Sequence, residues 1–578
     1  MTKTLFWYIF WPLLRVFAMA TCALAGIMSF AGLLRPLTEH GLDMRQVNQM
    51  LLYLTPAMST YSLPVAALFA ATIVYGRFAA DNELTAMRAG GVSYLSLRGF
   101  SIAMPALVLG LTVATISLIM LCFVVPIFSL RVQEIIYSNI GKVIASDIER
   151  DHEVDFAGMG GSWHVYAEGA QLQPTDAAHP MVQQVELIGP AIVTYQTPDP
   201  ATPDMLIPRD FSLARSAMVT IQRSGEANPW GDLAVPMATL TVHLSNGMKF
   251  PREFYGNVQA GVADTTFGPV EIPSPIHENV KFLDVRRLTE LAANPGRGER
   301  VQNILSDVIR REQESIALDL IARQINQGDP TGYLFPTDAD SDIFRIGGAG
   351  ATAVNEGSEL IMTAPARGDQ TRTVWMEQSH GSQMTLRAEA KEIHVRAKPD
   401  RVTHRLWVSI ELYDTLLHTQ EGPSERLSFI RSFSEAMPTE VRAVENKTLA
   451  DFQNDPGITE NDAMWLHHEQ VAVNNSARSE LHGRASFAIS CLILVMIGCG
   501  LGTAFKSGNM LNAFAVSFVP ALLSITLIFC GQQAATHVPF DMGPAFHDPL
   551  MTGLAFIWGG NLLVLAAAIY LTVRLQQR

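Results

Sequence analysis

The sequence predicts a polytopic α-helical membrane protein in which three transmembrane helices precede a large, mainly β domain and three follow it. Two observations carry this prediction. Near both ends of the 578-residue chain, apolar residues gather into long runs, and a run of about 20 residues can cross a bilayer. Between these regions, many short stretches alternate apolar and polar side chains and are separated by turn residues, which is typical of strands.

Six apolar runs are the expected spans, at residues 5–33, 61–76, 100–128, 485–505, 511–532 and 552–573. If the N-terminus lies inside, the inner flanks hold seven Lys and Arg, and the short outer flanks hold only Arg35 and Arg45. Because cytosolic loops carry the excess of Lys and Arg, we expect both termini in the cytosol. Residues 131–480 then lie outside the membrane, in the periplasm if the cell has two membranes.

Charge and cysteine content limit what the middle of the chain can do. Residues 131–480 hold 30 Lys and Arg against 49 Asp and Glu, and nucleic acid selects basic surfaces, so we expect no nucleic-acid partner. All five cysteines lie in the apolar runs. The middle therefore has no disulfide framework, even in an oxidising compartment.

The middle is expected to hold an antiparallel sandwich or jellyroll. Residues 238–247 place Leu240, Val242 and Leu244 on one face, followed by a predicted turn at Asn246-Gly247. Residues 392–412 alternate in the same way around a turn at residues 398–400.

The second half of the middle departs from this pattern. Residues 301–326 have helical periodicity, residues 327–358 have the composition of a long loop, and a polar helix from Thr459 feeds the fourth span. The expected organisation is therefore spans one to three in 1–130, a jellyroll-like domain in 131–290, an extra helix with hairpins in 291–480, and spans four to six in 481–578.

The sequence contains no convincing catalytic or metal-binding constellation. His467-His468-Glu469 lacks the spacing of a zinc-binding helix. Residues 500–507, GLGTAFKS, resemble a phosphate-binding loop, but Phe505 stands where the second glycine must lie. We expect a non-enzymatic chain that binds no cofactor or metal, with any ATP energy supplied by another subunit.

A short polar interruption, YGRFAADNELTAMRAGGVSYLSL at residues 75–97, separates the second and third spans. Asp81 can cap a helix over residues 82–89, and Gly90-Gly91 can end it. The segment, taken as 81–91, is either a coupling helix that docks on an ATPase or a solvated loop with ordinary positive-inside arginines. The candidate docking residues are Asp81, Glu83, Leu84, Met87, Arg88, Gly90 and Gly91. On the predicted helix, Leu84 and Met87 share one apolar face at i, i+3, which could enter a groove of the ATPase.

This interruption resembles the signature of the LptF/LptG lipopolysaccharide-export permease family. A second similarity is Glu480-Leu481-His482-Gly483-Arg484, which resembles the family's entry into its fourth span and suggests a structural role for Glu480, His482 and Arg484. A third is KFLDVRRLTEL at residues 281–291, similar to the segment that closes the family's β domain. The order of three spans, β domain and three spans is also the family's.

The resemblance implies an ABC-type exporter in the bacterial inner membrane. The chain would pair with a second LptF/LptG-like permease on an LptB-like ATPase dimer, which binds the ATP and Mg, and Glu83 would pair with an arginine of that ATPase. Lipopolysaccharide or a similar glycolipid would pass through the β-jellyroll to LptC/LptA-like bridge proteins. Expected lipid contacts are Arg35, Arg45 and Phe30 near the first span's outer end, and Leu240, Val242 and Leu244 in the β domain.

Two features depart from the family, and two other functions stay open. The middle is about twice the family's length, and residues 25–34 carry none of the charges expected to meet lipid phosphates. The chain could instead be a mechanotransmission protein that works an outer domain without moving a lipid, although such proteins usually have four spans. A membrane-anchored envelope sensor or enzyme is disfavoured because catalytic residues and long cytosolic segments are lacking.

Overall fold

The structure is a computed structural model. It describes residues 2–40, 44–95, 101–128, 140–155, 163–174, 181–196, 207–223, 238–251, 261–272, 279–328, 331–335, 342–357, 359–365, 371–380, 383–400, 403–419, 422–447, 451–452, 460–505, 510–538 and 548–577.

The described helices are α1 Thr2–His40, α2 Met44–Ala80, α3 Glu83–Ala89, α4 Met104–Ile119, α5 Ile140–Asp151, α6 Val285–Ala293, α7 Glu299–Asn326, α8 Thr439–Ala443, α9 Glu460–Ala504, α10 Met510–Thr536 and α11 Pro549–Gln577. A π-helical turn over Met120–Val124 continues α4.

The described strands are β1 Glu153–Asp155, β2 Trp163–Tyr166, β3 Gly169–Leu172, β4 Val182–Ile188, β5 Ala191–Gln196, β6 Ile207–Leu213, β7 Ser216–Arg223, β8 Ala238–Pro251, β9 Gly261–Ile272, β10 Tyr333–Leu334, β11 Ile343–Gly348, β12 Thr352–Asn355, β13 Leu360–Thr363, β14 Val374–His380, β15 Gln383–Ala390, β16 Glu392–Asp400, β17 Arg405–Thr419 and β18 Gly422–Ala436.

The chain divides into two compact units. The helical unit comprises Met1–Ile136, Glu278–Val301 and Trp465–Arg578, and the β unit comprises Tyr137–His277 and Gln302–Met464. Six helices in the described residues are long and apolar enough to cross a membrane, as the sequence predicts: α1, α2, α4 with its π-helical turn, α9, α10 and α11. Residues 278–301, on both sides of the boundary expected at residue 290, belong to the helical unit.

Glycines set the close packing of α9 against α2 in the helical unit. A Cβ atom at Gly498 would lie 2.8 Å from the carbonyl oxygen of Leu68, and one at Gly502 would lie 2.7 Å from that of Thr72. Small residues at such spacing let two helix backbones approach closely. Packing, rather than helix propensity, therefore accounts for glycine in the middle of a transmembrane helix.

Replacing Gly502 by Val should weaken this contact. The added side chain meets the α2 backbone, which cannot rotate away, so we expect a loss of about 1–3 kcal/mol in stability. Gly559→Ala in α11 is the control because a Cβ atom there meets nothing within 4 Å. Thermal unfolding of the two variants in detergent checks this; equal midpoints would refute the packing argument.

The β unit begins with a nine-stranded first β module, β1–β9. β8 is its longest strand and pairs with β7, β6 and β9. The turn predicted at Asn246-Gly247 is wrong: the strand continues to Pro251, and its pairing with β9 shifts register between Leu244 and Gly247. The interruption is a bend within one strand, because both halves find partners on the same sheet.

A nine-stranded second β module, β10–β18, fills the region expected to hold only hairpins. The loop expected over residues 327–358 contains β10, β11 and β12. The strands expected over 392–412 are confirmed as β16 and β17, and the helix expected over 301–326 is confirmed as α7. The turn expected at residues 398–400 is wrong, because these residues belong to β16 and pair with β17 up to Asp400. Strands β10, β11 and β12 have only two to six residues and lie among glycine and polar residues, so their pattern resembles that of a loop.

Each module has its own apolar core, closed by the helix that precedes it. Ile144 and Ile148 of α5 pack into the core of the first module. Leu318 and Ile321 of α7 pack into that of the second. Each helix thereby buries its apolar stripe against the inward face of a sheet.

One buried acid makes the stability of the β unit depend on pH. Glu435 is fully buried, and neither carboxylate oxygen has a hydrogen-bond partner in the described residues. Burial raises the pKa of Glu435 from 4.5 to about 8, and Arg405 offsets this only in part. The folded chain thus holds this proton more tightly than the unfolded chain does.

The free energy of unfolding of the β unit should therefore fall as the pH rises from about 4.5 to about 8. Glu435→Gln removes the titrating group and should flatten this part of the profile. Glu425→Gln, at an exposed position of the same strand, is the control. Pulse proteolysis in urea across this range measures the effect; an unchanged slope in Glu435→Gln would contradict the assignment.

Candidate functional site

The interruption between α2 and α4 folds into the short helix α3, Glu83–Ala89. Asp81 does not cap it: Asn82 occupies the cap position with a φ of 58° and makes no side-chain cap bond. Asp81 instead faces Arg77 at 3.7 Å on the exposed surface. The helix ends where Gly91 adopts a φ of 86°, a left-handed conformation that glycine tolerates without strain.

Leu84 does not form an exposed apolar knob. Its side chain is buried in the core of the helical unit, together with Phe78 and Tyr94. Met87 is half-buried and packs against the same core. The apolar face of α3 therefore packs against the transmembrane helices of the same chain. This packing is stabilising because it removes apolar area from water.

The opposite side of α3 is exposed and small. Thr85, Ala86 and Ala89 are exposed, while Glu83 and Arg88 are half-exposed. This surface combines short side chains, which allow close approach, with one acidic and one basic group. It is the part of the segment that a partner could contact.

Glu83 is positioned by the first helix. The hydroxyl of Tyr8 donates a hydrogen bond to Oε2 of Glu83 at 3.0 Å. The Tyr8 ring lies 5.5 Å from that of Phe78, which fixes the tyrosine against α2. The sequence did not indicate this contact, because Tyr8 stands in an aromatic run at residues 6–11, 75 positions before Glu83.

Two buried tyrosines connect the residues around α3 to the transmembrane helices. The hydroxyl of Tyr94 lies 3.4 Å from Sγ of Cys499 in α9. The hydroxyl of Tyr75 in α2 donates to the carbonyl oxygen of Ile102 at 2.9 Å. Displacement of the α3 segment would therefore disturb α9 directly.

Two of the three residues predicted to mark the entry of the fourth span, Glu480 and Arg484, form a polar cluster on α9, and the third, His482, has a different partner. Nε of Arg484 donates to Oε1 of Glu480 at 2.9 Å, and both side chains are almost completely buried. Arg484 also donates to the carbonyl oxygens of Val280 and Lys281. His482 is exposed and receives a 3.4 Å contact from the indole nitrogen of Trp558.

This cluster ties three parts of the helical unit together. Nε2 of Gln532 in α10 donates to Oε2 of Glu480 at 2.7 Å. The turn that supplies the two carbonyl groups, Val280–Phe282, lies immediately before α6. Because burying an isolated charge is costly, the paired carboxylate and guanidinium hold α9, α10 and this turn in one arrangement.

A cavity of about 360 Å³ lies beside the cluster. Lys281 lines it, with its ammonium 4.9 Å from the ring centre of Phe529. Its other polar lining includes Ser476, Ser479 and Gln533. Glu480 of the cluster also lines the cavity. The cavity thus offers one cation, a carboxylate already paired with Arg484, several hydrogen-bonding groups and an aromatic wall.

A second network of buried polar side chains links α9, α10 and α11. The hydroxyl of Ser524 donates to Oδ1 of Asn561 at 2.9 Å, and Nδ2 of Asn561 donates to the carbonyl oxygen of Ser486 at 2.7 Å. The hydroxyl of Ser486 donates to the carbonyl oxygen of Ile557. Such hydrogen bonds hold helices together where apolar lipid provides no hydrophobic drive. No local pattern in the sequence indicates which serines and asparagines meet.

The expected lipid contacts fall into three groups. The side chains of Arg35 and Arg45 lie outside the described residues. Phe30 is 63% exposed on α1. Leu240, Val242 and Leu244 are fully buried in the first β module. Within the described residues, no group of three or more His, Cys, Asp or Glu could hold a metal ion.

The helices and the β unit define a class: this is a polytopic membrane protein with a large β domain. The family model for the lipopolysaccharide export system permease LptF/LptG matches residues 7–156 and 352–574, and the chain belongs to this family. Membership implies a permease subunit of lipopolysaccharide export, a role that is non-catalytic in the family. No curated protein matches the chain.

Proposed function

We propose that this chain is one permease half of an ABC-type exporter that extracts lipopolysaccharide or a similar glycolipid from the inner membrane. A separate LptB-like ATPase dimer binds ATP and Mg and docks on the exposed side of α3. A second LptF/LptG-like permease completes the cavity for the lipid, and LptC/LptA-like proteins receive it. The observation that carries the proposal is α3 itself. Its apolar side packs against the chain's own helices, and its other side presents Glu83 and Arg88 on an exposed surface of short side chains.

The orientation follows from the distribution of charge. Lys and Arg in the short flanks favour cytosolic termini, which put α3 on the cytosolic side and the β unit in the periplasm. An ATPase in the cytosol then reaches α3 without crossing the membrane. The burial of Leu84 and the contact of Tyr94 with Cys499 support a direct mechanical connection from α3 to α9.

Lys281 is the described cation best placed to meet an anionic group of the lipid. Both Glu480 and Lys281 line the cavity, but Glu480 is engaged by Arg484 and Gln532, whereas Lys281 lies over Phe529. A phosphate or carboxylate of the lipid would bind the ammonium there, and acyl chains would lie along apolar surfaces such as that around Phe30.

Purification of the tagged protein from native membranes in mild detergent, with mass spectrometry of bound proteins and lipids, tests this function. We expect a soluble ATPase, a second six-span chain and a glycolipid. If the ATPase were recovered but every preparation lacked a glycolipid, the result would favour a mechanotransmission protein. Recovery of none of them would contradict the docking role of α3.

A further inference from the structure

The two β modules have the same strand connections. In the first, the neighbours are β1–β2, β2–β5, β5–β6, β6–β8, β8–β7, β7–β4 and β4–β3, and β8 also pairs with β9. In the second, every neighbouring pair is the same once nine is added to each strand number. A scheme this specific points to two copies of one module.

The match extends to residues. Val219 of β7 faces Val242 of β8, and Val395 of β16 faces Ile410 of β17 in the equivalent place; all four side chains are fully buried. The long strand is interrupted at the equivalent place in both modules. In β8 the register shifts just after Leu244, and in β17 the interruption is Asp414, with a φ of 51°.

The helix that precedes each module is held to it by an amide side chain. In the first module, the backbone N–H of Gly141 in α5 donates to Oε1 of Gln183 in β4 at 3.0 Å. In the second, Asn326 at the end of α7 exchanges two hydrogen bonds with the backbone of Ala353 in β12. The repeating unit is thus a helix followed by nine strands.

The family match covers strands equivalent to about one of the two copies. The segment between the matched regions, residues 157–351, contains β2–β11, whereas β1 and β12–β18 lie within the match. Seven of the eight matched strands belong to the second module. The family model therefore describes mainly the second module, and most of the first module is additional to it.

The two copies form one continuous sheet. The main chain of Val262–Asp264 in β9 pairs in parallel with that of Phe429–Arg431 in β18, so the last strands of the two modules are neighbours. Main-chain hydrogen bonds fix this junction independently of side chains.

We propose that the first β module is a second lipid-binding module, and that both modules hold the acyl chains of the same exported glycolipid. The inference rests on the proposed function. Its basis is the shared inward face, which is apolar at equivalent positions of β7 and β8 and of β16 and β17. Since α5 and α7 cover these faces, each helix has to move aside when acyl chains enter.

Photo-crosslinking in the complete complex in native membranes tests the inference. The probe is p-benzoylphenylalanine, placed at Phe267 of the first module or Phe433 of the second, where an aromatic side chain already packs against the core. Trp163 and Phe344 are second positions in case the first variants fail to fold. The controls are the exposed Tyr166 and Met384, one in each module.

We expect glycolipid adducts in both modules with ATP, their loss without ATP, and none at the control positions. Adducts in one module alone would overturn the inference and leave the proposed function intact. Adducts in neither module, with protein that resists limited proteolysis like the wild type, would overturn the lipid path itself, and with it the proposed function.

Discussion

Replacing Glu83 by Ala should abolish lipid export while leaving the protein folded in the membrane. The carboxylate lies half-exposed on α3, and the main cost we expect from its removal is lost pairing with a basic residue of the ATPase. Truncating one partner of a hydrogen-bonded charge pair in an interface costs about 2–5 kcal/mol, or about 30-fold or more in affinity. Co-purification of the ATPase and transport of glycolipid in proteoliposomes measure both consequences.

Tyr8→Phe is the matched control, because it removes the internal hydrogen bond to Glu83 and keeps the carboxylate. Because this variant loses only the positioning contact, we expect a much smaller loss of export than in Glu83→Ala. If Tyr8→Phe lost export as fully as Glu83→Ala, the carboxylate would act inside the chain rather than toward a partner. A Glu83→Arg variant rescued by an acidic substitution on the ATPase would establish direct contact.

Replacing Arg484 by Met should strongly destabilise the helical unit. It leaves Glu480 buried beside α10 with its main partner gone, and it removes two donors from the Val280 and Lys281 carbonyl groups. Breaking a buried ion pair by removing one partner costs about 3–5 kcal/mol. Thermal unfolding and resistance to SDS in detergent provide the measurement.

The exposed pair Arg77–Asp81, at the C-terminal end of α2, is the control, since it has the same i, i+4 spacing but a separation of 3.7 Å in solvent. Arg77→Met should cost about 1 kcal/mol or less. The double variant Glu480→Gln with Arg484→Met should recover part of the stability, because no unpaired charge stays buried. If Arg484→Met and Arg77→Met lost the same amount of stability, burial would not strengthen the Glu480–Arg484 pair.

Local sequence patterns were sufficient for the elements whose periodicity is long and regular. The six spans and α7 repeat their apolar residues over several turns, and the strands at 392–412 alternate clearly. The short strands β10, β11 and β12 were missed because glycine and polar residues obscure a pattern of only a few positions. A strand of that length is specified by the neighbours with which it pairs.

The candidate site was located by its sequence, but its contacts were not. The motif at residues 81–91 marked a short helix, and the ELHGR motif at residues 480–484 lies within α9, just before the apolar run expected from residue 485. The pattern of Leu84 and Met87 predicted an apolar face but could not tell a partner's groove from the chain's own core. Tyr8 stands 75 positions before Glu83, so no local pattern could join them.

The sequence by itself determined the class of this protein, its membrane spans, its acidic middle and its family resemblance, because hydropathy, charge and short motifs are local properties. Only the tertiary structure decided which face of α3 is free, which charges are paired, and that the middle consists of two copies of one module. These depend on contacts between residues far apart in the chain. The repeat lies in strand pairing and register, which different apolar side chains, such as Val219 and Val242 or Val395 and Ile410, satisfy equally well.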